Sequence, residues 1–199
     1  PGHIIGSTAC LGGQLPKFLL KFRETGDTKY WETAINWCQY MVGIFGKGNF
    51  FLEMQPSKNV DQEFVNLYIC KIHDETGIPL IITTDSHYLK KEDAPIHKAF
   101  LNSQEGDREV DSFYATTYLM GTEEIEGFFK LYTDDYVLQK SYQNVLKIKD
   151  MCEDYSLLKS LKIPQLMWKD LGSYTIDQRK WQSRIPYLND FWGSEYEGD

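Results

Sequence analysis

The chain has 199 residues, with 21 basic and 29 acidic side chains giving a net charge of −8, enough length for one large domain. Its 42% hydrophobic content supports a packed core, and no window approaches the ~18 apolar residues of a membrane-spanning helix. The acid excess argues against a free-standing nucleic-acid binder, which needs a basic face to displace counterions from phosphates.

Cysteines stand at positions 10, 38, 70 and 152 without a C-x-x-C pair or a preceding secretory signal, so reduced thiols of a cytoplasmic protein are expected. The opening at Pro1-Gly2 and the ending at Asp199 read as an internal slice of a longer chain. His3 to Ala9 predicts a buried strand closed by Gly12-Gly13. Leu15, Phe18, Leu19 and Phe22 predict a helix from Gln14 to about Glu24, with Pro16 tolerated in its first turn. Trp31, Ala34, Ile35, Cys38, Met41, Val42 and Phe45 lie on one face of a second helix, which Gly46 ends.

Asn49 to Met54 then predicts a strand stopped by Pro56, and Asp61 to Glu75 a helix stopped by Gly77. The run Ile78-Pro-Leu-Ile-Ile-Thr-Thr84 is nearly all apolar, as in a parallel strand covered on both faces. Short helices follow at Glu92 to Asn102 and Glu123 to Lys130. A long one runs from Asp134 to Cys152 with Val137, Val145, Leu146 and Ile148 inward. Strands alternating with helices predict an α/β fold with a parallel sheet or barrel. From Trp168 on, periodicity is poor and a linker is expected.

The strongest chemical signal is Thr83-Thr84-Asp85-Ser86-His87-Tyr88, just past the carboxyl end of the apolar strand. In extended backbone Asp85 and His87 point to one face, where carboxylate and imidazole begin a divalent-metal site. The same triplet also fits a loop in which Asp85 bonds backbone amides and His87 caps a turn. Cys10 holds the equivalent place after the first strand, and a cysteine there also fits a small buried hydrophobe. Cys38, Cys70 and Cys152 are assigned to the core. Glu53 ends a strand facing the same mouth and is expected to be a surface carboxylate. His73 and His97 lie in helices without sequence partners and read as solvated or core histidines. No G-x-S-x-G elbow, P-loop or G-x-G-x-x-G turn is present.

Several of these segments, in order, resemble the bacterial replicative DNA polymerase III alpha subunit. Gly6-Ser-Thr-Ala-Cys-Leu-Gly-Gly-Gln-Leu-Pro16 is similar to its SGCLxGEIP segment, and Phe50-Phe-Leu-Glu-Met-Gln55 to its FYLELQ strand. Gly77 to Leu89 resembles GIPLVATNDxHYL, and Glu92-Asp-Ala-Pro-Ile-His97 the EDAxxH that follows. Asn144 to Cys152 is similar to NxxxIAxxC, and residues 191–199 resemble the approach to the polymerase palm.

The resemblance covers residues 2–166 and implies the C-terminal part of a PHP (polymerase and histidinol phosphatase) domain. Residues 167–199 would then be a linker toward the palm. The implied fold is a partial (β/α)7 barrel, truncated at its N-terminus, with Cys10, Asp85 and His87 as metal ligands at its mouth. Thr84 replaces the family's asparagine, and the histidine motifs that complete the metal cluster should precede Pro1.

Zinc or manganese would occupy this site, and magnesium a palm outside this chain. The implied chemistry is phosphoester hydrolysis, including 3′–5′ exonuclease activity, in a DNA-directed DNA polymerase. Its partners would be DNA, deoxynucleotides, a sliding clamp and other replisome subunits. A free-standing PHP phosphatase and a non-catalytic scaffold are the alternatives. Half a barrel should also expose an apolar inner face.

Overall fold

Three parallel strands and the helices between them alternate along the chain in a computed structural model, which describes residues 2–103, 114–130, 133–154 and 156. The expected linker at 167–199 lies outside the described residues. One compact unit ends at Glu153, and every element below belongs to it. Its elements are β1 (Gly6–Ser7), α1 (Gln14–Thr25), α2 (Thr28–Phe45), β2 (Phe50–Met54), α3 (Val60–Thr76) and β3 (Leu80–Ile82). Then follow α4 (Ala94–Asn102), α5 (Thr122–Phe129) and α6 (Asp135–Met151), with 3-10 turns at Lys91–Asp93 and Tyr114–Thr116.

Local chemistry sets the helix ends. The Asp27 carboxylate accepts from the Lys29 amide at 2.9 Å to open α2, and Asn59 Oδ1 takes the Asp61 and Gln62 amides to open α3. Gly77 ends α3 at φ +69°, a left-handed conformation that costs glycine nothing, and its amide closes onto the His73 carbonyl at 2.8 Å. The His73 ring turns back to donate from Nδ1 to the Ile78 carbonyl at 2.7 Å, a structural role.

The strand order is β1-β2-β3, with Gly6 opposite Phe50, Ser7 opposite Phe51 and Glu53 opposite Ile81. Both outer strands are shorter than predicted. Left-handed Ala9 turns the chain away after β1, and Pro79 has no N–H to donate to the ladder before β3. One sheet face carries Phe50, Leu52, Met54, Leu80 and Ile82, packed with Leu15, Leu19, Cys38, Ile69, Ile72 and Leu138 in the core. The opposite face carries Ser7, Phe51, Glu53, Ile81 and Thr83. That face is not the open apolar surface expected of half a barrel. Phe51 is fully buried, Ile81 is 5% exposed, and the carboxyl end is polar.

Two further expectations are corrected. In α6 the buried residues are Leu138 and Ser141, while Val145 and Leu146 are exposed at 37% and 60%. The helix is phased by a polar anchor: Asn144 Nδ2 donates to the Leu80 carbonyl on β3 at 2.8 Å. Small Ser141 therefore faces inward and the apolar pair turns out. Cys152 is exposed rather than core, because it caps α6 beyond the packed turns through its amide. No helix among the described residues is long and apolar enough to cross a membrane.

Candidate metal centre

At the end of β1 the Thr8 amide donates to the Phe51 carbonyl, and Ala9 then takes φ +58°. This left-handed residue swings Cys10 into a tight turn closed by Gly13 N–H to Cys10 O at 2.8 Å. A Cβ on Gly13 would fall 2.6 Å from the Thr8 carbonyl and 2.9 Å from that of Cys10, so the turn requires glycine there. Cys10 is half-buried.

An L-residue in the left-handed region costs about 1–2 kcal/mol, and glycine's extra freedom when unfolded offsets roughly 0.5–1. Ala9 is exposed and packs against no core. Ala9→Gly is therefore expected to stabilise the fold by up to about 1 kcal/mol in urea denaturation. A clear loss of stability would contradict the strained turn.

The end of β3 mirrors this. Among the described non-glycine residues only Ala9 and Asp85 have positive φ, Asp85 at +46°. Asp85 is thus not extended, and the premise that alternation brings Asp85 and His87 to one face fails. The loop instead folds so that His87 Nδ1 meets the backbone carbonyl of Asp85 at 2.6 Å. A carbonyl only accepts, so Nδ1 carries the proton and the neutral ring keeps its lone pair on Nε2. That is the tautomer a metal-ligating histidine uses when its other nitrogen donates to a carbonyl. The His87 amide is held by the Thr117 carbonyl at 2.7 Å.

Cys10 and the Asp85–His87 loop lie at the same, carboxyl, end of the sheet, but on strands that are not neighbours. With β2 between them, their strand axes are two spacings of ~4.8 Å apart. Among the described residues no group of three or more His, Cys, Asp and Glu side chains stands together as a ready metal cage.

Between the two strand ends sits Glu53, and here the expected surface carboxylate is overturned. Glu53 is half-buried and accepts from Ser7 Oγ at 2.5 Å, Thr83 Oγ1 at 2.6 Å and Gln55 Nε2 at 3.2 Å. Its partners lie 46 and 30 residues away on β1 and just past β3, which is why its own segment did not show them. The available signal was a hydroxyl residue near the end of each flanking strand.

His97 is also no isolated helix histidine. Its ring centroid lies 5.6 Å from that of His87 and 5.1 Å from Tyr114, with Tyr88 on another side at 5.3 Å. Burial, then repulsion by His87, hold its pKa below the usual histidine value, favouring a neutral ring. A cavity of about 350 Å³ opens beside it, lined by Lys91, Ala94, Pro95, His97, Lys98, Tyr114 and Ala115.

The remaining thiols are chemically quiet or remote. Burial pushes the Cys38 thiol up to about 12 and that of Cys70 up to about 11. Both thiols therefore stay protonated and poorly nucleophilic at neutral pH. As pH rises past ~8.5, the unfolded thiols ionise while the folded ones resist, so this contribution to stability is lost toward the folded values.

A probable DNA polymerase, YorL, of Bacillus subtilis strain 168 and a DNA-directed DNA polymerase of Bacillus phage SPbeta each share 39% identity with this chain over 93% of its length. The DNA polymerase III alpha subunit of Borreliella burgdorferi is 29% identical over 86% of the chain. The chain spans 15% of the length of each of these relatives. No protein-family model matches it. Over nearly its whole length the chain is homologous to one segment of the DNA polymerase family that includes the bacterial DNA polymerase III alpha subunit.

Proposed function

We propose that this chain is the PHP-type barrel segment of a DNA-directed DNA polymerase, carrying a divalent-metal phosphoesterase site at the carboxyl ends of its strands. The observation that carries this reading is the similarity to DNA polymerases over 93% of the chain. The parallel sheet, with helices packed on one face and a polar carboxyl end on the other, suits a sector of such a barrel. DNA and deoxynucleotides are the substrates on this reading, and a sliding clamp and other replisome proteins its partners.

Cys10, Asp85 and His87 would hold the ion, and a thiolate beside an imidazole and a carboxylate suits zinc better than manganese. A bound divalent ion would stabilise charge on a phosphoryl oxygen and activate water for 3′–5′ exonuclease cleavage. The His87 tautomer fits such a role, and Lys91 and Lys98 along the adjacent cavity supply charge that a phosphodiester needs.

A second reading is favoured by the lack of a three-residue metal cage among the described residues: a scaffold whose site has decayed. Alkylation read by mass spectrometry separates the two. Without metal, exposed Cys152 and half-buried Cys10 are expected to react quickly, and Cys38 and Cys70 slowly. Zinc is expected to protect Cys10 and leave Cys152 reactive. Equal reaction of Cys10 with and without zinc would leave only the scaffold.

A further inference from the structure

We infer that Glu53 is the positioning residue of this site, a strut that fixes the strand end carrying Cys10 relative to the one carrying Asp85 and His87. The inference rests on the metal-site reading above and adds to it a residue whose hydrogen bonds go to Ser7, Thr8, Gln55 and Thr83 and to none of the three candidate ligands.

The geometry is symmetrical. Glu53 Oε2 takes the hydroxyl of Ser7, two residues before left-handed Ala9 and three before Cys10. Glu53 Oε1 takes the hydroxyl of Thr83, two residues before left-handed Asp85. The backbone amide of Glu53 adds a third tie, donating to Thr8 Oγ1 at 2.9 Å. β1 and β3 do not pair with each other; each end is tied to the β2 backbone, Thr8 N–H to the Phe51 carbonyl and Thr83 N–H to the Met54 carbonyl, both at 3.1 Å. The Glu53 carboxylate adds a side-chain link that joins the two ends to one another.

The contacts also show how the Glu53 carboxylate is occupied. An ionised carboxylate only accepts, and at 2.5 and 2.6 Å the two hydroxyl contacts are in the short range of charge-assisted bonds. Oε1 also receives Gln55 Nε2 at 3.2 Å, which fills its two lone pairs. Three of the carboxylate's four lone-pair positions thus go to neighbours on both sides. The role assigned to Glu53 is therefore indirect: it holds two strained turns at a set separation. Supporting residues of this kind are worth roughly 10–100-fold in metal affinity.

The test is a zinc titration of the whole chain, read as protection of Cys10 from alkylation and accompanied by thermal melting. Glu53→Ala is expected to raise the zinc concentration for half-protection by about 10–100-fold. Glu53→Gln should restore it to within a few-fold of the original. Its amide oxygen accepts from Thr83, and its amide nitrogen donates to Ser7, whose hydroxyl can also accept. A direct ligand would not be rescued this way, so failure of Gln to restore protection overturns the positioning role.

If Glu53→Ala does not fold, Ser7→Ala and Thr83→Val each remove one end of the strut. Each is then expected to weaken protection, and unchanged titrations in both overturn the inference. If the unaltered chain shows no zinc protection, the metal reading fails by itself. The strut is then decided by the metal-free alkylation rate of Cys10. That rate should rise in Glu53→Ala, or in Ser7→Ala where Glu53→Ala does not fold; an unchanged rate overturns the inference.

Discussion

Replacing Asn66 with alanine is expected to destabilise the fold by about 2–5 kcal/mol, because two buried backbone groups lose their partner. Asn66 is fully buried on α3 and reads the chain just past β2 as a further strand would. Its Nδ2 donates to the Gln55 carbonyl at 2.7 Å, and its Oδ1 accepts from the Gln55 amide at 3.2 Å and from Gln62 Nε2 at 3.0 Å. Gln55 is itself 6% exposed, so water does not readily replace these bonds. Urea denaturation measures the loss.

Asn66→Asp sharpens the argument. It keeps the acceptor but sets a second carboxylate oxygen against the Gln55 carbonyl, so the folded protein needs that carboxyl protonated. Its folded pKa is raised above the unfolded value of about 4, and stability is lost as pH rises through and beyond it. The Asp variant should recover toward the original protein in acid, whereas the Ala variant should not. Parallel pH profiles for the two would show that Asn66 acts by packing alone.

How much of this was legible beforehand follows from the range of each interaction. The α2 stripe from Trp31 to Phe45 repeats every three to four residues, and the helix Thr28–Phe45 forms where that pattern lies. β2 and the stop at Gly77 were equally local. Two other features are not local. An apolar strand ahead of Asp85 predicts extended backbone there, but the turn at φ +46° goes with contacts beyond its segment, such as Thr117 holding the His87 amide. In α6, the apolar pattern places Val137, Val145, Leu146 and Ile148 inward; Val137 does pack against the core, but Val145 and Leu146 turn out, where the bond from Asn144 to Leu80 rotates the helix toward Leu138 and Ser141. The polar anchor decided the phase, and hydrophobic pattern alone did not contain it. Glu53 is the same lesson at the site, since a charged residue in a strand reads as surface until both flanking strands are in place.

His87→Ala is expected to abolish zinc protection of Cys10 while lowering the metal-free melting temperature by no more than about 2–4 °C. The second half follows from exposure: His87 is on the surface, its ring bond to Asp85 lies within a single loop, and what it loses is edge-on ring contact with His97 and Tyr114, worth roughly 1 kcal/mol. The first half follows from the ring's tautomer, because removing Nε2 removes a candidate ligand and not merely a support. The loss should therefore exceed the ~10–100-fold assigned to a supporting residue. In the original chain, zinc at ~100 times its dissociation constant should add about 2.7 kcal/mol of stability, and that gain should vanish in the variant. His97→Ala is the matched control, since it removes a neighbouring ring and keeps Nε2 of His87. On the function proposed above, His87→Ala in the full-length polymerase should remove metal-dependent phosphoester hydrolysis while nucleotide incorporation continues, since that reading assigns incorporation to a separate set of metal-binding carboxylates. Loss of incorporation together with a larger fall in melting temperature would instead assign His87 a structural part, and persistence of zinc protection would remove it from the site altogether.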